Sequence, residues 1–245
     1  MMNISILLKK LNKGITHGFF PYHCIICNDK ANRELDLCME CETFLPWLKN
    51  ACTSCAIPLA FQGQSVCGAC LKTPLPFHKL CVFFSYTEII KKWVIGLKFQ
   101  QQLVYAKIFG TLLAEKISSR YQSEQLPDRI IPVPLHKKRL NERGFNQAIE
   151  LARPISKKLN IPIEYKKCQR VINTASQSKL PSNQRSNNVK NAFFAHQDLA
   201  QQHIALLDDV MTTGHTFIEI SRALYDVGVK RIDVWCCART YLDGN

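Results

Sequence analysis

The sequence predicts an α/β fold with a mostly parallel sheet, preceded by a small cysteine-rich module. From Ile130 onward, short apolar runs typical of buried strands alternate with amphipathic segments typical of helices. Ahead of this region, eight of the twelve cysteines form four Cys-x-x-Cys pairs within the first 70 residues. We therefore expect an N-terminal helix and the cysteine module in residues 1–75, and the α/β domain in residues 76–245.

Composition and charge narrow the class of protein. The chain has 245 residues, of which 47% are apolar and 21% charged, as is typical of globular proteins. Its 32 Lys and Arg against 19 Asp and Glu give a net charge of +13, which favours a polyanionic partner. No apolar run approaches the ~18 residues of a membrane span, and the run Ile4–Leu8 is too short for a secretory signal. We expect a cytoplasmic protein without membrane insertion, whose thiols stay reduced.

The cysteine pairs have the spacing of zinc ligands. The pairs are Cys24/Cys27, Cys38/Cys41, Cys52/Cys55 and Cys67/Cys70. Each Cys-x-x-Cys turn points two sulfurs at one centre, and two such turns complete a tetrahedral shell around one zinc ion. Four pairs therefore predict two structural zinc ions. The pairs combine either sequentially along the chain or in a cross-braced arrangement. In the cross-braced arrangement the first pair shares an ion with the third, and the second pair with the fourth.

Hydrophobic periodicity predicts the order of the remaining elements. The expected strands are Lys79–Tyr86, Ile130–Pro134, Ile161–Tyr165, a run ending at Asp209, and Arg231–Cys237. The expected helices are 88–98, 103–119, a helix ending near 159, a short one near 182–190, and one following Thr216. We expect Pro154 to kink its helix. Lys98 is expected to be a solvated residue at a helix end rather than a phosphate ligand.

The stretch from Ala205 to Thr216 carries the candidate chemistry. Its apolar run ends in Asp208 and Asp209, and a Thr-Thr-Gly turn follows before a helix begins. Backbone N–H groups at such a turn bind phosphate, and adjacent carboxylates suit ribose hydroxyls and a magnesium ion held through water. Adjacent acids repel each other, so folding alone does not require them. The residues of this predicted ribose-phosphate site are Asp208, Asp209, Val210, Met211, Thr212, Thr213, Gly214, His215 and Thr216.

A cationic segment follows the predicted strand that ends at Pro134. It is expected to be a loop closing near Gly144, and its cations are Lys137, Lys138, Arg139 and Arg143. Thirteen Lys and Arg residues but only three acids lie between residues 130 and 190. Sites in parallel sheets lie at the carboxyl ends of the strands, so we expect this loop near the two acids. Its cations either neutralise a pyrophosphate group or follow a nucleic-acid backbone.

Further motifs accompany this site along the chain. They are Pro132–Leu135, Arg139–Ala148, Thr174, Gln177, Leu180, Arg185, Asn188 and Ala238-Arg239, with Leu45-Pro46 and Pro58-Leu59 beside the cysteines. In this combination the sequence resembles the ComF family (the ComFC/GntX-like group) of phosphoribosyltransferase-like proteins. Met211 and His215 differ from the residues usual in that family, and we expect His215 to point to solvent.

The resemblance implies a type I phosphoribosyltransferase-like fold that binds phosphoribosyl pyrophosphate with magnesium. Arg139 and Arg143 would join the acids and the loop in holding this ligand. The resemblance also implies a role in natural transformation. A first hypothesis is a cytoplasmic competence factor that binds single-stranded DNA through Lys137, Lys138, Arg139 and Arg143 and acts after DNA import, toward recombination.

Two other hypotheses keep the same site. In one, the protein is a transferase that moves ribose 5-phosphate to an unknown acceptor, with Asp208 and Asp209 as catalytic residues. In the other, the fold binds the ligand only as a signal or serves as a scaffold. In that case the zinc module could dock a partner such as a helicase of the DNA-uptake machinery, a suggestion that rests on family analogy alone.

Overall fold

A computed structural model of the chain describes residues 21–61, 63–173 and 191–241. The predicted N-terminal helix, the short helix expected near 182–190 and the motif residues from Thr174 to Asn188 lie outside these ranges. The chain divides into two compact units, of which one ends at Leu45 and the other begins at Pro46. The second cysteine group thus belongs to the same unit as the sheet. A domain boundary between residues 75 and 76 stays a prediction from sequence.

The first unit is organised by its cysteine turns. The N–H of Asn28 donates to the carbonyl of Cys24 over 2.8 Å, and Asn28 takes the left-handed conformation that closes the turn (φ 66°). Helix α1 spans Met39–Thr43 and begins after Cys38, whose sulfur accepts the N–H of Cys41. An ion pair of 2.6 Å joins Arg33 to Glu42 on this helix. Because this region has little apolar periodicity, it depends on such polar contacts and on its metal ligands.

The second unit is an α/β domain. Its helices are α2 (Gly68–Lys72), α3 (Glu88–Gln100), α4 (Leu103–Arg120), α5 (Lys137–Arg143), α6 (Gln147–Leu159) and α7 (His215–Asp226). Its strands are β1 (Lys79–Ser85), β2 (Arg129–Pro132), β3 (Cys168–Arg170), β4 (Phe193–Ala195), β5 (His203–Met211) and β6 (Arg231–Arg239). Four strands form a parallel sheet in the order β1-β6-β5-β2, whereas β3 and β4 form an antiparallel pair. The predicted α/β fold with a parallel sheet is confirmed.

The sheet brings the candidate residues to one edge. Strand β5 lies between β2 and β6, which explains its continuous apolar sequence, because both faces of a central parallel strand are buried. Asp208 pairs in register with Cys236 of β6. The strand continues to Met211, so the two acids lie shortly before its end rather than at its tip. Ligands of parallel sheets bind at this carboxyl edge.

The cationic segment is a helix and not the predicted loop. His136 caps α5, because its Nδ1 accepts the N–H of Lys138 over 3.2 Å. Gly144 ends the helix in the left-handed conformation (φ 81°) and donates its N–H to the carbonyl of Leu140 over 2.8 Å. Gly144 was visible in the sequence, whereas histidine is not a residue that predicts an N-cap.

The region 161–170 also differs from the prediction. The expected strand Ile161–Tyr165 is reduced to a single parallel bridge between Ile163 and Ile130. Pro162 has no N–H to donate, which prevents a longer ladder. The short strand β3 was not predicted, because three residues give no readable alternation.

Helix packing explains how α6 accommodates a proline. The helix continues through Pro154, and Gly110 of α4 lies directly against it. A Cβ on Gly110 would come within 2.2 Å of Pro154 Cγ, so only glycine permits this approach.

Within the described ranges, no helix combines the length and the apolar character needed to span a membrane.

A buried polar cluster lies near the amino end of the central strands. Asp233 of β6 is fully buried and accepts hydrogen bonds from Tyr121 Oη at 2.7 Å and from Arg231 Nε at 3.1 Å. His203 Nε2 lies 2.7 Å from the same carboxylate. Burial alone would raise the pKa of Asp233, but these partners outweigh it and lower the pKa below its usual 3.8.

Asp233→Asn is expected to lower the free energy of unfolding at pH 7 by about 2 kcal/mol, since buried donors lose a charged acceptor. A carboxyl with a lowered pKa in the folded state stabilises the fold above its unfolded pKa, and this contribution is lost as the pH falls through the folded pKa. Urea unfolding between pH 3 and 7 measures both effects. The variant should show a flatter loss of stability toward acid than the wild type. Asp226→Asn, at an exposed position, should match the wild type.

Candidate functional site

The structure groups the cysteines sequentially, as one of the two predicted pairings. The two groups are Cys24, Cys27, Cys38 and Cys41, and Cys52, Cys55, Cys67 and Cys70. Within each group the sulfurs all lie within 4.8 Å of one another. The Sγ atoms of Cys27 and Cys38 are 3.8 Å apart, and those of Cys55 and Cys67 are 3.7 Å apart. A tetrahedron with Zn–S bonds of about 2.3 Å has S···S edges of about 3.8 Å, so both groups fit zinc.

Backbone donors prepare the first sulfur of each group for a metal. Burial opposes ionisation of Cys24, but N–H groups of Cys27 and Cys38 outweigh it and lower its pKa to about 6. In the second group, burial is likewise outweighed by backbone N–H groups of Cys67 and Cys55, which lower the pKa of Cys52 to about 7. The thiolate is the form that binds zinc.

A cavity of about 490 Å³ opens at the carboxyl edge of the sheet. Both predicted acids, Asp208 and Asp209, line it. Other predicted residues that line it are Val210, Met211, Thr212, Gly214, Thr216, Arg139 and Arg143. Residues that line it without having been predicted include Tyr86, Ile95, Lys98, Phe99, Gln147 and Arg170. The structure therefore brings the two acids, most of the loop and two of the four cations of α5 to one cavity.

A chain of polar contacts ties the acids to the neighbouring helices. Lys98 of α3 forms an ion pair with Asp209, contrary to the expectation that Lys98 is solvated. Gln147 of α6 donates to the other oxygen of Asp209 over 3.4 Å and accepts a hydrogen bond from Arg143. Asp209 is thus held from two sides, and Arg143 is linked to it through one intervening side chain.

The two adjacent carboxyls differ in their electrostatics. Burial and the negative charge of Asp209 raise the pKa of Asp208 well above its usual range. Burial acts on Asp209 too, but the ammonium of Lys98 outweighs it and lowers the pKa of Asp209. Asp209 is therefore the ionised member of the pair, whereas Asp208 readily holds a proton. A bound cation at Asp208 would displace that proton.

The turn after β5 has a shape that depends on glycine. Gly214 has φ +84°, and a Cβ there would lie 2.7 Å from Met211 Cε. Thr213 and His215 hydrogen-bond each other over 2.8 Å, and the side chain of His215 is half-buried. Thr212 and Thr216 line the cavity, whereas Thr213 and His215 do not.

The cations near the cavity fall into two groups. Arg139 and Arg143 are half-buried and line it, whereas Lys137 and Lys138 are exposed and do not. Arg170 of β3 adds a further guanidinium, and burial together with the charge of Arg139 lowers its pKa to about 10. Burial is the larger cause of this shift, and the positive charge of Arg139 adds to it. Guanidinium groups that line one cavity suit a polyanionic ligand.

Lys98 and Arg170 are the functional residues that sequence reasoning missed. Neither belongs to a motif. Lys98 was considered as a phosphate ligand but interpreted as solvated, and strand order brings it to the acids. Arg170 lies on β3, in the separate antiparallel pair. Gln147 was present in the resembling motif at Arg139–Ala148 but had no assigned role. Its position shortly after Arg139 and Arg143 was the one signal in the sequence that Gln147 lies at the site.

Comparisons with known proteins agree with these features. The sequence matches the double zinc ribbon domain over residues 15–71 and the phosphoribosyl transferase domain over residues 146–240. It is 34% identical over 228 residues to "Competence protein F" of Haemophilus influenzae, covering 91% of this chain and 99% of that protein. It is 34% identical to "DNA utilization protein YhgH" of Escherichia coli K12, covering 90% and 98%. "Competence protein ComFC" of Bacillus subtilis is 23% identical, covering 86% and 92%.

The fold and the site together define a phosphoribosyltransferase-like protein with an N-terminal double zinc ribbon. The sequence identity and the coverage of the matches to competence proteins show a narrower family within this class. The chain belongs to the ComF family.

Proposed function

We propose that this protein is a cytoplasmic competence factor that binds phosphoribosyl pyrophosphate with magnesium and also binds single-stranded DNA, acting after DNA import and toward recombination. The observation that carries the proposal is the cavity that the adjacent acids Asp208 and Asp209 share with a set of half-buried cations. The names of the family relatives support the connection to DNA and competence.

The cavity suits a sugar that carries phosphates at both ends. Asp208 and Asp209 would take the ribose 2′- and 3′-hydroxyls and hold magnesium through water, because paired carboxylates are typical magnesium ligands. The residues from Val210 to Thr216 would hold the 5′-phosphate with backbone N–H groups and the hydroxyls of the threonines. Arg139 and Arg143 would neutralise the pyrophosphate. The volume of about 490 Å³ lies in the range of small-molecule sites.

The DNA interaction is assigned to α5. Lys137 and Lys138 face solvent from the same short helix that supplies Arg139 and Arg143 to the cavity. A phosphodiester backbone crossing the cavity mouth would contact all four cations. The two arginines would then serve either DNA or pyrophosphate, so the two ligands should compete in part.

The alternative function is a phosphoribosyltransferase with an unknown acceptor. It is favoured by the apolar side chains of Ile95, Phe99 and Leu135, which line the cavity and suit an apolar or aromatic acceptor. The acceptor would form a bond to the ribose C1 while the bond from C1 to pyrophosphate breaks, and Asp208 and Asp209 would stabilise the charge developing on the ribose. Pyrophosphate release across a panel of acceptors tests for turnover.

If the fold instead binds the ligand only as a signal or serves as a scaffold, the zinc module would dock a helicase of the uptake machinery. This suggestion rests on family analogy alone.

Two matched double variants separate the proposed roles of α5. Arg139→Ala with Arg143→Ala should weaken binding of magnesium–phosphoribosyl pyrophosphate by roughly 100-fold and also weaken DNA binding, because both guanidinium groups line the cavity. Lys137→Ala with Lys138→Ala should weaken DNA binding alone and lower the slope of log K against log salt by about 0.7 for each lost phosphate contact. Calorimetry measures the first ligand, and fluorescence anisotropy of labelled single-stranded DNA the second.

The wild type sets the reference for both assays. If it binds neither ligand at low salt, the proposed function is wrong. If the two double variants weaken both ligands equally, the division of α5 into cavity-facing and solvent-facing cations is wrong. Circular dichroism must show a folded protein in each case, since Arg143 also packs over the ring of Phe99.

A further inference from the structure

Arg239 is a buried arginine with contacts on two different parts of the second unit. It ends β6, its exposed fraction is 6%, and it pairs in register with Met211 of β5. Its Nε donates to the carbonyl of Cys55 over 2.9 Å. Its terminal guanidinium nitrogen Nη1 donates to the carbonyls of Met211 at 3.1 Å and Thr240 at 3.0 Å. One side chain therefore spans from a cysteine turn to the end of the strand that carries the two acids.

The first contact belongs to the second metal group. Cys55 is one of its four ligands. The following residue, Ala56, has φ +58° and donates its N–H to the carbonyl of Cys52 over 2.7 Å, which closes the turn. Ala56 is buried in the same apolar cluster as Met211. The turn that holds two zinc ligands is thus part of the core on which the cavity is built.

The second contact belongs to the ligand loop. Met211 is the last residue of β5, and the Thr-Thr-Gly turn follows it directly. The Met211 carbonyl also accepts the N–H of Thr240 over 3.1 Å, so two donors from the end of β6 fix it. The Met211 side chain lies so close to Gly214 that a Cβ there would approach it to 2.7 Å. A displacement of Met211 would therefore reach the loop.

We infer that Arg239 is a positioning residue that couples the second zinc group to the phosphate loop. Metal bound by Cys52, Cys55, Cys67 and Cys70 keeps the Cys55 carbonyl in place to accept from Arg239. This contact in turn keeps the guanidinium aimed at Met211. A cysteine turn without its metal loses its fixed geometry. The buried guanidinium then loses the Cys55 carbonyl as an acceptor. Its new position displaces the Met211 carbonyl, the other acceptor. The identity of the ligand rests on the proposed function, but the coupling does not.

Hydrogen–deuterium exchange of the ligand-free protein tests the coupling. Cys52→Ser with Cys55→Ser should leave one zinc per chain and raise exchange by at least tenfold at the amides of Ile218 and Thr240, which donate to the carbonyls of Gly214 and Met211. Cys24→Ser with Cys27→Ser also leaves one zinc and should leave that exchange unchanged, because every contact of Arg239 described above lies in the second unit. Arg239→Gln should raise the exchange while both zinc ions are retained, and Arg239→Lys should restore part of the protection. Zinc content is measured on each sample.

A reciprocal measurement on the wild type avoids any folding defect of the variants. Coupling between two sites is mutual, so magnesium–phosphoribosyl pyrophosphate should raise the equilibrium affinity of the second group for zinc, measured in competition with a coloured chelator, by the factor by which that zinc tightens ligand binding. The inference is overturned if Arg239→Gln or the second-group variant exchanges like the wild type at the amides of Ile218 and Thr240, or if the first-group variant raises exchange equally. Absence of ligand binding by the wild type would contradict the proposed function and leave the exchange experiment to decide the coupling.

Discussion

Asp209→Asn is expected to lower the free energy of unfolding by about 3 kcal/mol and to abolish measurable binding of magnesium–phosphoribosyl pyrophosphate. The side chain of Asp209 is only 2% exposed, and it pairs with Lys98, which is 22% exposed. Removing one charge of such a pair leaves the other without compensation, which is where the cost of breaking a buried ion pair arises. Thermal and urea unfolding measure the stability, and calorimetry the affinity.

The neighbouring acid provides the matched control. The raised pKa of Asp208 means that the fold loses stability as the pH rises from the usual carboxyl pKa of 3.8 through the pKa in the folded protein. Asp208→Asn removes this repulsion and the cost of burying a charge, so the variant should be more stable than the wild type at pH 7. It should still lose roughly 100-fold in ligand affinity. Isosteric changes one residue apart therefore have opposite effects on stability and the same effect on binding.

A second variant identifies the source of the cost. If the orphaned charge of Lys98 causes the loss of stability, Lys98→Met combined with Asp209→Asn should recover most of it without recovering ligand binding. Equal destabilisation by Asp208→Asn and Asp209→Asn would contradict the assignment of Lys98 as the partner of one acid only.

The features that sequence could predict are those encoded within a short stretch. Paired cysteines at a fixed spacing identify a metal site because two thiolates of one turn must meet at one ion. The acids and the Thr-Thr-Gly turn occupy one continuous segment, so a strand, a turn and a helix N-terminus follow from neighbouring residues. The parallel sheet follows from the alternation of strands and helices, which requires crossover connections.

The features that sequence could not predict depend on strand order. Lys98 and Asp209 are far apart in the chain and meet because β6 and β5 follow β1 in the sheet. No local pattern distinguishes such a lysine from an ordinary one at a helix end. The helical state of α5 is a different case, because Gly144, which ends the helix, was visible in the sequence. It was interpreted as part of a loop, and the cap at His136 had no sequence signal, since histidine is not a typical N-cap residue.

Gly214→Ala is the change expected to affect the loop most strongly. An alanine with φ near +84° costs about 1 to 2 kcal/mol in backbone energy, and its Cβ would lie 2.7 Å from Met211 Cε. The methyl end of Met211 can rotate away, but Met211 is buried in the core and is fixed at its carbonyl by Arg239. We therefore expect the loop rather than the core to move, with a loss of at least roughly 100-fold in affinity for magnesium–phosphoribosyl pyrophosphate, or about 3 kcal/mol. Calorimetry measures the affinity.

Gly228→Ala is the control that distinguishes two effects of Gly214→Ala: a change in the shape of the loop, and the energetic cost of the backbone conformation. Gly228 has nearly the same φ, +85°, and a Cβ there would meet Ala200 Cβ at 3.6 Å, an ordinary contact. Because both variants impose the same backbone strain, both should lower the free energy of unfolding by about 1 to 2 kcal/mol. Only Gly214→Ala should lose the ligand. If Gly228→Ala weakened binding to the same extent, the effect would arise from general destabilisation, and the close approach of Met211 to the loop would have no part in forming the site.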